Sequence, residues 1–527
     1  MNKNLFSERN RQSDFLAADL QANGLGEAEY FESLEEALSG LQKGECVRFF
    51  LIKEDEKQNL RDAVILLKYC KKIEDADIKV FIFSSSDVAR TVLDSMDTQC
   101  AEINLINPLE LMAQKLMLDH PLYESPDKLN AEELRVAVIG GGDAVPVLEK
   151  TVQWCGRMKS YIMKINVIGP NARAFETEMK FRNPGLFPQT TLENLDMSER
   201  HLITPELFLP LKLTRTLFHQ ADTSSEELEI ALDKCLDSNY IIIDEGDDEE
   251  TLRTAMAVRA HFIRKHVLHE NYLTGGRVNV TKLPDIFVLI RDEVLSDVVP
   301  ELKVEGHPAD PGNDELRLVP FGAYRDLYRA ENIIDTDIEK LAHVLFPKEF
   351  VEDEKGRKGG HLPVSTKRML YASAVHLKYK MRDMGFVQEK EGDDIYCTER
   401  YPALRKAGRM QIEAAVDDMR YELAALEHQR WVIFKLCDGW IPADAYHAFG
   451  YGKLHSDGTR EHRQFAGKMS AACIEVSQLS GTGTKLCGKP SYFTEYDRVT
   501  GMATYSTLKK VYPNMTFMAL FDEEEED

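Results

Sequence analysis

The sequence predicts an α/β protein with two successive doubly wound units and a mainly helical module after them. Short apolar runs of strand length alternate with longer amphipathic segments along about the first 345 residues, and this alternation is typical of parallel βαβ units. A polar segment with one proline, residues 124–133, is expected to be a linker, and the alternation starts again after it. After residue 360 the apolar residues recur mainly at helical spacing.

The first unit is predicted to span residues 1–125. Its expected strands lie at 4–6, 47–52, 79–83 and 102–106, and its expected helices at 59–72, 86–96 and 108–119. The polar run at residues 7–10 follows the first strand and contains no glycine. Such side chains can cap a helix, but they cannot surround a diphosphate as a glycine turn does. We therefore expect this unit to be a scaffold.

The second unit is predicted to span residues 134–347. Its expected strands lie at 134–139, 161–168, 240–244 and 285–290, and its expected helices at 145–158, 225–237 and 249–266. Both units are therefore expected to be Rossmann-like. A charged, glycine-bearing loop at 348–360 leads to the helical module at 361–527, with helices expected at 365–384 and 412–437. After about residue 450 the sequence is rich in turn residues and predicts no order of elements.

The overall charge restricts the classes of partner. The 527 residues include 65 Lys and Arg against 89 Asp and Glu, a net charge of −24. Such a surface repels phosphate backbones and anionic lipids, so binding to nucleic acid or to a membrane surface is not expected. The apolar fraction of 43% is enough for ordinary hydrophobic cores.

Cysteine usage and hydropathy predict a cytoplasmic protein that does not enter the membrane. The nine cysteines are scattered and form no CxxC pair, a pattern typical of reduced thiols rather than of a disulfide framework or a zinc site. The first residues contain no apolar core of a secretory signal, and no apolar run approaches the length of a membrane span.

A glycine turn is the sharpest local motif. The apolar strand that ends at Ile139 continues directly into Gly140, Gly141 and Gly142, and a helix is expected from Val145. Glycines at this place let backbone N–H groups approach a pyrophosphate at a helix N-terminus. The predicted cofactor-binding residues here and at the neighbouring strand ends are Gly140, Gly141, Gly142, Asp143, Gly169 and Asp244.

Three features depart from the usual dinucleotide-binding pattern. Val145 stands at the third glycine position, and Asp143 brings a negative charge to the expected pyrophosphate position. Gly169 stands where an acidic residue usually binds the ribose. Asp244 follows a buried strand, so it could bind a cation or a ribose, or it could cap the next helix. A tight turn without a ligand therefore stays an open alternative to a site for an adenine nucleotide.

Four stretches of the first unit form a recognisable pattern, at residues 51–59, 80–86, 106–108 and 120–121. On these stretches, residues 6–123 resemble the TrkA-N (RCK) regulatory domains of potassium channels and transporters. The second unit is similar to a divergent second copy of such a domain. The resemblance there depends on its glycine turn and on residues 320–322, 326–328 and 334–346. The resemblance implies binding of NAD(H), ATP or another adenine nucleotide, formation of a homodimer, and control of a separate membrane channel or effector.

A second resemblance lies in the helical module. Residues 427–431 read Glu-His-Gln-Arg-Trp, and Gly439-Trp440 follows, which resembles the RyR domain that bacteria attach to TrkA-N units. This resemblance implies reading of nucleotide-derived signals, including in antiviral systems. The predicted ligand-binding residues are Glu427, His428, Arg430, Trp431 and Trp440. In one interpretation, Arg430 binds a phosphate and Trp431 stacks on a base. In the other, Glu427 and Arg430 form a local ion pair and Trp431 is a core residue.

The expected function is that of a non-enzymatic cytosolic sensor of a nucleotide or nucleotide-derived signal, regulating ion transport or a defence effector. The sequence contains no GxSxG, GxxxxGK[ST] or HExxH motif, so no catalytic or metal-binding residue is assigned. Two alternatives stay open. An NAD(P)-dependent oxidoreductase would hold its cofactor in the second unit, and an assembly scaffold would have lost all ligands.

Overall fold

The computed structural model describes most of the first 350 residues and isolated parts of the remainder. The described residues are 3–41, 45–70, 77–96, 101–187, 214–274, 283–302, 318–347, 349–350, 362–383, 386–388, 404–406, 420–439, 441–442, 469–470 and 517–520. The chain divides into two compact units. The first unit contains residues 1–116, 290–296 and 321–375, and the second contains 117–289, 297–320 and 376–527.

The first unit is built on a five-stranded parallel sheet. Its strands are β1 (Lys3–Phe6), β2 (Ala28–Tyr30), β3 (Cys46–Leu51), β4 (Asp77–Phe83) and β5 (Glu102–Ile106). The helices that follow them in the chain are α1 (Arg11–Ala22), α2 (Leu34–Ser39), α3 (Glu56–Cys70), α4 (Asp87–Asp94) and α5 (Pro108–Asp119). The strand order is β2-β1-β3-β4-β5, which is one of the two common doubly wound orders.

Local sequence explains how these helices begin. Asn10 accepts a hydrogen bond from the backbone N–H of Ser13, whose side chain in turn accepts from the backbone N–H of Asn10, so the pair forms a capping box at α1. Ser33 caps α2 and Ser86 caps α4 in the same way, through one side-chain acceptor each. The apolar faces of these helices cover a core in which Phe49, among other residues, is fully buried.

A later part of the chain completes the first unit. It contains α11 (Glu293–Val298), which begins in this unit, and then α12 (Tyr324–Leu327), α13 (Ala330–Ile333), α14 (Asp337–Leu345) and the start of α15 (Val364–Asp383). Val364 joins the core, and the Lys367 ammonium donates to the backbone oxygen of Ile103 on the edge strand β5. The start of α15 therefore covers the β5 edge of the sheet, which would otherwise present unpaired backbone groups.

The second unit is built on a six-stranded sheet. Its strands are β6 (Glu133–Ile139), β7 (Ile162–Gly169), β8 (Arg215–Gln220), β9 (Tyr240–Ile243), β10 (Asp285–Leu289) and β11 (Leu318–Phe321). The helices of this part are α6 (Glu124–Lys128), α7 (Val145–Cys155), α8 (Ala172–Arg182), α9 (Glu226–Leu232), α10 (Asp248–Thr274) and, after the gap, α16 (Arg420–Cys437). The strand order β8-β7-β6-β9-β10-β11 is the order 3-2-1-4-5-6 of dinucleotide-binding folds.

The helix α16 packs on α7 within this second unit. The rings of Trp154 and Phe434 meet edge to face at 5.8 Å. The Asn183 side chain donates to the backbone oxygens of Leu436 and Cys437, so it satisfies two carbonyls at the end of α16. The described part of this helix therefore belongs to the core of the second unit.

The division into three regions at 1–125, 134–347 and 361–527 stays a prediction. Each of the two compact units includes segments that are distant in the sequence, because these segments pack together. The separate helical module at 361–527 stays a prediction, because most of it lies outside the described residues.

The expectation of a linker at 124–133 was wrong. Residues 124–128 form the helix α6, and Asp127 is buried. Asp127 pairs with the Arg382 guanidinium through two hydrogen bonds of 2.8 and 2.9 Å, and it also accepts from the Tyr161 hydroxyl. Polar composition misled here because the partners of these polar side chains lie far away in the sequence.

The α/β class with two parallel sheets is confirmed, and most expected elements are present within a few residues of their predicted bounds. Short strands also occur at Phe386–Gln388 and Leu404–Lys406, and each pairs antiparallel with Phe517–Leu520. Ile441–Pro442 pairs with Met469–Ser470. Among the helices that the structure describes, none combines the length and the apolar character that crossing a membrane requires.

Candidate functional site

The candidate site lies where the strand order of the second sheet reverses. Strands β6 and β9 are parallel neighbours, with Ile139 opposite Ile243 at their carboxyl ends. After β6 the chain continues to β7 on one side of this pair, and after β9 it continues to β10 on the other side, so the loops that leave the two carboxyl ends diverge. Open α/β sheets bind ligands in the crevice that this divergence creates.

Two glycines of the predicted turn are needed because β9 ends very close to them. Gly140 has a φ of +126°, and a Cβ atom placed on it would overlap the backbone oxygen of Asp244. A Cβ atom on Gly142 would overlap the Asp244 carboxylate. The sequence predicted these glycines as a phosphate cradle. The geometry gives them a further reason, which is close packing against the end of the neighbouring strand.

The backbone N–H groups of this turn already have acceptors within the protein. Gly142 donates to the backbone oxygen of Asp244 at 2.9 Å, and Gly141 donates to the Glu245 carboxylate at 3.1 Å. Ala144, which precedes the first residue of α7, donates to Asp244 Oδ2 at 3.0 Å. The fully buried Asp244 carboxylate therefore occupies the N-terminus of α7, the place where a bound phosphate would receive these hydrogen bonds.

The surface around the turn is acidic. Asp143 is exposed and Glu245 is half-buried, and both lie beside the glycine backbone. Asp247 accepts hydrogen bonds from the first turn of α10, where it acts as a cap. Carboxylates at this density repel a phosphate and attract groups that donate hydrogen bonds, such as sugar hydroxyls, or cations. The chemistry of this edge therefore favours recognition of the donor-bearing part of a ligand.

The remaining predicted residue of the turn, Gly169, also lies here. A Cβ atom on Gly169 would overlap the backbone oxygen of Gly140, so the end of β7 approaches the turn as closely as the end of β9 does. The structure thus brings together all six residues that were predicted for cofactor binding. That they bind a ligand stays a prediction.

Glu245 was missed in the sequence-based assignment of the site. Its carboxylate accepts from the backbone N–H of Gly141 and from the Thr254 hydroxyl, and its backbone N–H donates to the Thr251 hydroxyl. The signal was present, because Glu245 directly follows Asp244 at the end of a buried strand. What the sequence could not show is that this side chain turns back to the glycine turn of another strand.

The second group of predicted ligand residues lies on α16, where Glu427 and Arg430 form a buried pair. The Arg430 guanidinium donates to both carboxylate oxygens of Glu427, at 2.8 and 3.0 Å, and Arg430 is 0% exposed. Burial alone would raise the pKa of the Glu427 carboxyl. The charges of Arg430 and Lys380 nevertheless hold that pKa well below its ordinary value.

The arginine and the tryptophan of this motif have different surroundings. Trp431 is only half-buried, and the Lys435 ammonium lies 5.6 Å from the centre of its ring. Arg430 is enclosed, so the two side chains do not present one open surface for a phosphate and a base. The His428 side chain and Trp440 lie outside the described residues.

Lys380, which the sequence did not suggest as a partner, belongs to the same group. Its ammonium nitrogen lies 2.6 Å from Glu427 Oε2, and Lys380 is 2% exposed. In the described ranges there is no group of three or more His, Cys, Asp or Glu side chains that could hold a metal ion.

No known family, no curated protein and no solved structure matches this chain.

Proposed function

We propose that the chain is a non-enzymatic sensor of a nucleotide or nucleotide-derived ligand, which binds at the carboxyl ends of β6 and β9. The observation that carries the proposal is the glycine turn at Gly140–Gly142, packed against Asp244 where the order of the second sheet reverses. Ligands of doubly wound sheets bind at this position. The resemblance to TrkA-N units supports an adenine nucleotide such as NAD(H) or ATP as the ligand class.

The acidic edge determines how such a ligand would be oriented. The N–H groups of Gly141, Gly142 and Ala144 are used by Asp244 and Glu245, so a diphosphate has no cradle there. Sugar hydroxyls can donate to carboxylates such as those of Asp143 and Glu245. We place the ribose at this edge and the phosphates away from it.

Helix α7 supports a regulatory role for the site. It begins beside the glycine turn, and its 11 residues extend about 16 Å. At its far end Trp154 packs against Phe434 of α16, and the Cys437 thiol lies 3.8 Å from the backbone oxygen of Lys150. A ligand that shifts the turn can therefore move the RyR-like helix through one rigid element. The output would be altered contact with a separate channel, transporter or effector, within a homodimer.

Native mass spectrometry of the full chain, followed by titration calorimetry, tests the proposal with NAD(H), ATP, ADP-ribose and cyclic nucleotides. The informative variant is Asp143→Asn, because Asp143 is exposed and asparagine removes its charge while keeping the side-chain shape. We expect about tenfold weaker binding from the loss of a charge-assisted hydrogen bond. The matched control is Glu226→Gln, another exposed acidic residue of the same unit, which should leave affinity unchanged.

The other outcomes separate the alternatives. Tighter binding in Asp143→Asn would place phosphates at the turn and contradict the proposed orientation. Turnover of a nicotinamide cofactor would contradict a non-enzymatic sensor and favour the oxidoreductase. A protein that ignores every compound in the panel would favour the scaffold.

A further inference from the structure

A buried cluster of four ionisable side chains connects α15 to α16 in the second unit, and it is separate from the glycine turn. His376 and Lys380 lie one helical turn apart on α15, and Glu427 and Arg430 lie one turn apart on α16. His376 and Arg430 are both 0% exposed. Charged groups are rarely enclosed in this way unless their charges are balanced.

The charges of this cluster do not balance. Burial lowers the pKa of His376 well below its ordinary value, with Lys380 and Arg430 adding to the effect, so the imidazole is neutral. Among the four side chains, Glu427 carries the negative charge, and it faces two cations, Lys380 and Arg430. Burial lowers the pKa of Lys380, and the Glu427 carboxylate opposes that shift. With the Lys380 ammonium protonated, the four side chains carry one positive charge in excess.

The hydrogen-bond donors are in excess as well. Arg430 uses Nε and one terminal nitrogen on Glu427, and its other terminal nitrogen finds no acceptor in the part of the chain that the structure describes. Within the described residues, the Lys380 ammonium contacts Glu427 Oε2, but the angle of this contact is unfavourable for a hydrogen bond. The His376 imidazole donates to the backbone oxygen of Arg157 at 2.8 Å.

We propose that the cluster His376–Lys380–Glu427–Arg430 binds one compact anion, a halide or the oxygen atoms of a small oxyanion. Such an ion would supply the missing charge and would accept from the unused donors of Lys380 and Arg430. Glu427 holds the arginine fork by two hydrogen bonds, so the anion lies beside the fork and not across it. The site does not depend on the nucleotide site proposed above.

Thermal unfolding of the full chain tests this site with chloride, acetate and inorganic phosphate, each added at constant ionic strength against a bulky organic anion. We expect a saturating rise in Tm of about 2–4 °C for the anion that fits. Lys380→Met removes the excess charge and should abolish the rise. Lys378→Met is the matched control on the same helix, because its ammonium already donates to the backbone oxygen of Leu118, and it should keep the rise.

Glu427→Gln gives a second test with the opposite sign. It raises the excess positive charge of the cluster by one, so the rise in Tm with anion should become larger, or the variant should need the anion to fold. An anion response that is equal in wild type, Lys380→Met and Glu427→Gln would overturn the proposal, and so would a wild-type Tm that ignores all three anions. Loss of nucleotide binding in Asp143→Asn leaves this result unaffected, which separates the two proposals.

Discussion

Each sheet has one point at which its strand order reverses, and the loops at that point are held together differently in the two sheets. In the first sheet, between β1 and β3, the Ser7 hydroxyl accepts from the backbone N–H of Ile52, and the Asn10 amide donates to the backbone oxygen of Ile52. Side chains thus join the two loops directly. In the second sheet, between β6 and β9, glycines let the backbone of one loop contact the backbone and carboxylate of the other.

This difference shows what a glycine turn does and does not indicate. In the second sheet the N–H groups are exposed by glycine as a phosphate site requires, yet Asp244 and Glu245 accept from them. The glycines are therefore explained by close packing as well as by ligand binding. The identity of the acceptor, and not the presence of glycine, decides which ligand chemistry the turn favours.

Gly140→Ala is the most disruptive change at the second sheet. The added Cβ would overlap the backbone oxygen of Asp244, and the φ of +126° is strained for alanine. We expect a loss of about 4 kcal/mol in the free energy of unfolding of the second unit. Urea titration combined with hydrogen exchange of second-unit peptides measures it.

Gly24→Ala is its control in the first unit. Gly24 also has a positive φ, but a Cβ there meets no atom of the described residues within 4 Å, so about 1 kcal/mol is expected. Equal costs at the two glycines would show that the approach of Asp244 does not constrain the turn.

Asn59→Ala tests the side-chain contacts that join the ends of β3 and β4 in the first sheet. The buried Asn59 amide accepts from the backbone N–H of Lys53 and donates to the backbone oxygens of Lys53 and Phe83. Removing it leaves three backbone groups without this partner, so a loss of about 3 kcal/mol is expected in the first unit. Hydrogen exchange of first-unit peptides measures this loss. The exposed Asn23→Ala is the control and should cost under about 0.5 kcal/mol. A cost below about 1 kcal/mol for Asn59→Ala would show that these side-chain contacts do not hold the two strand ends together.

Asn10→Ala is expected to have the smallest effect of the three. Asn10 caps α1 and also donates to the backbone oxygen of Ile52 at 2.7 Å. We expect a loss of about 1–2 kcal/mol, again from first-unit hydrogen exchange. Asn10→Ser keeps the cap and removes only the bond to Ile52, so its cost should be about half as large. If Asn10→Ser costs nothing, the bond between the two loops does not contribute to stability.

The sequence predicted the strands and their alternation because apolar periodicity is a local property. Strands at 102–106 and helices at 108–119 coincide with the observed elements. Short or exposed strands such as Ala28–Tyr30 and Arg215–Gln220 escaped prediction, because their burial patterns are weak and pairing with a neighbour holds them. The strand orders could not be predicted from the sequence either, because they depend on which strands pair with each other.

The candidate site was predicted in position but not in chemistry. The glycines were found because a strand, a glycine run and a helix follow one another directly in the chain. The filling of the turn by Asp244, about one hundred residues later, depends on the pairing of β6 with β9. The ion pair of Lys380 with Glu427 and the burial of Asp127 beside Arg382 are likewise contacts between distant segments.

Hydrogen exchange of the full chain, with and without the nucleotide that binds most tightly, tests whether the ligand binds at the carboxyl ends of β6 and β9. We expect slower exchange in the peptides covering residues 139–148 and 243–254, and a weaker effect in Asp143→Asn at the same nucleotide concentration. Peptides covering residues 4–12 and 50–58, at the corresponding point of the first sheet, should not change. Protection confined to the first sheet, or a bound nucleotide that leaves 139–148 and 243–254 unchanged, would contradict it.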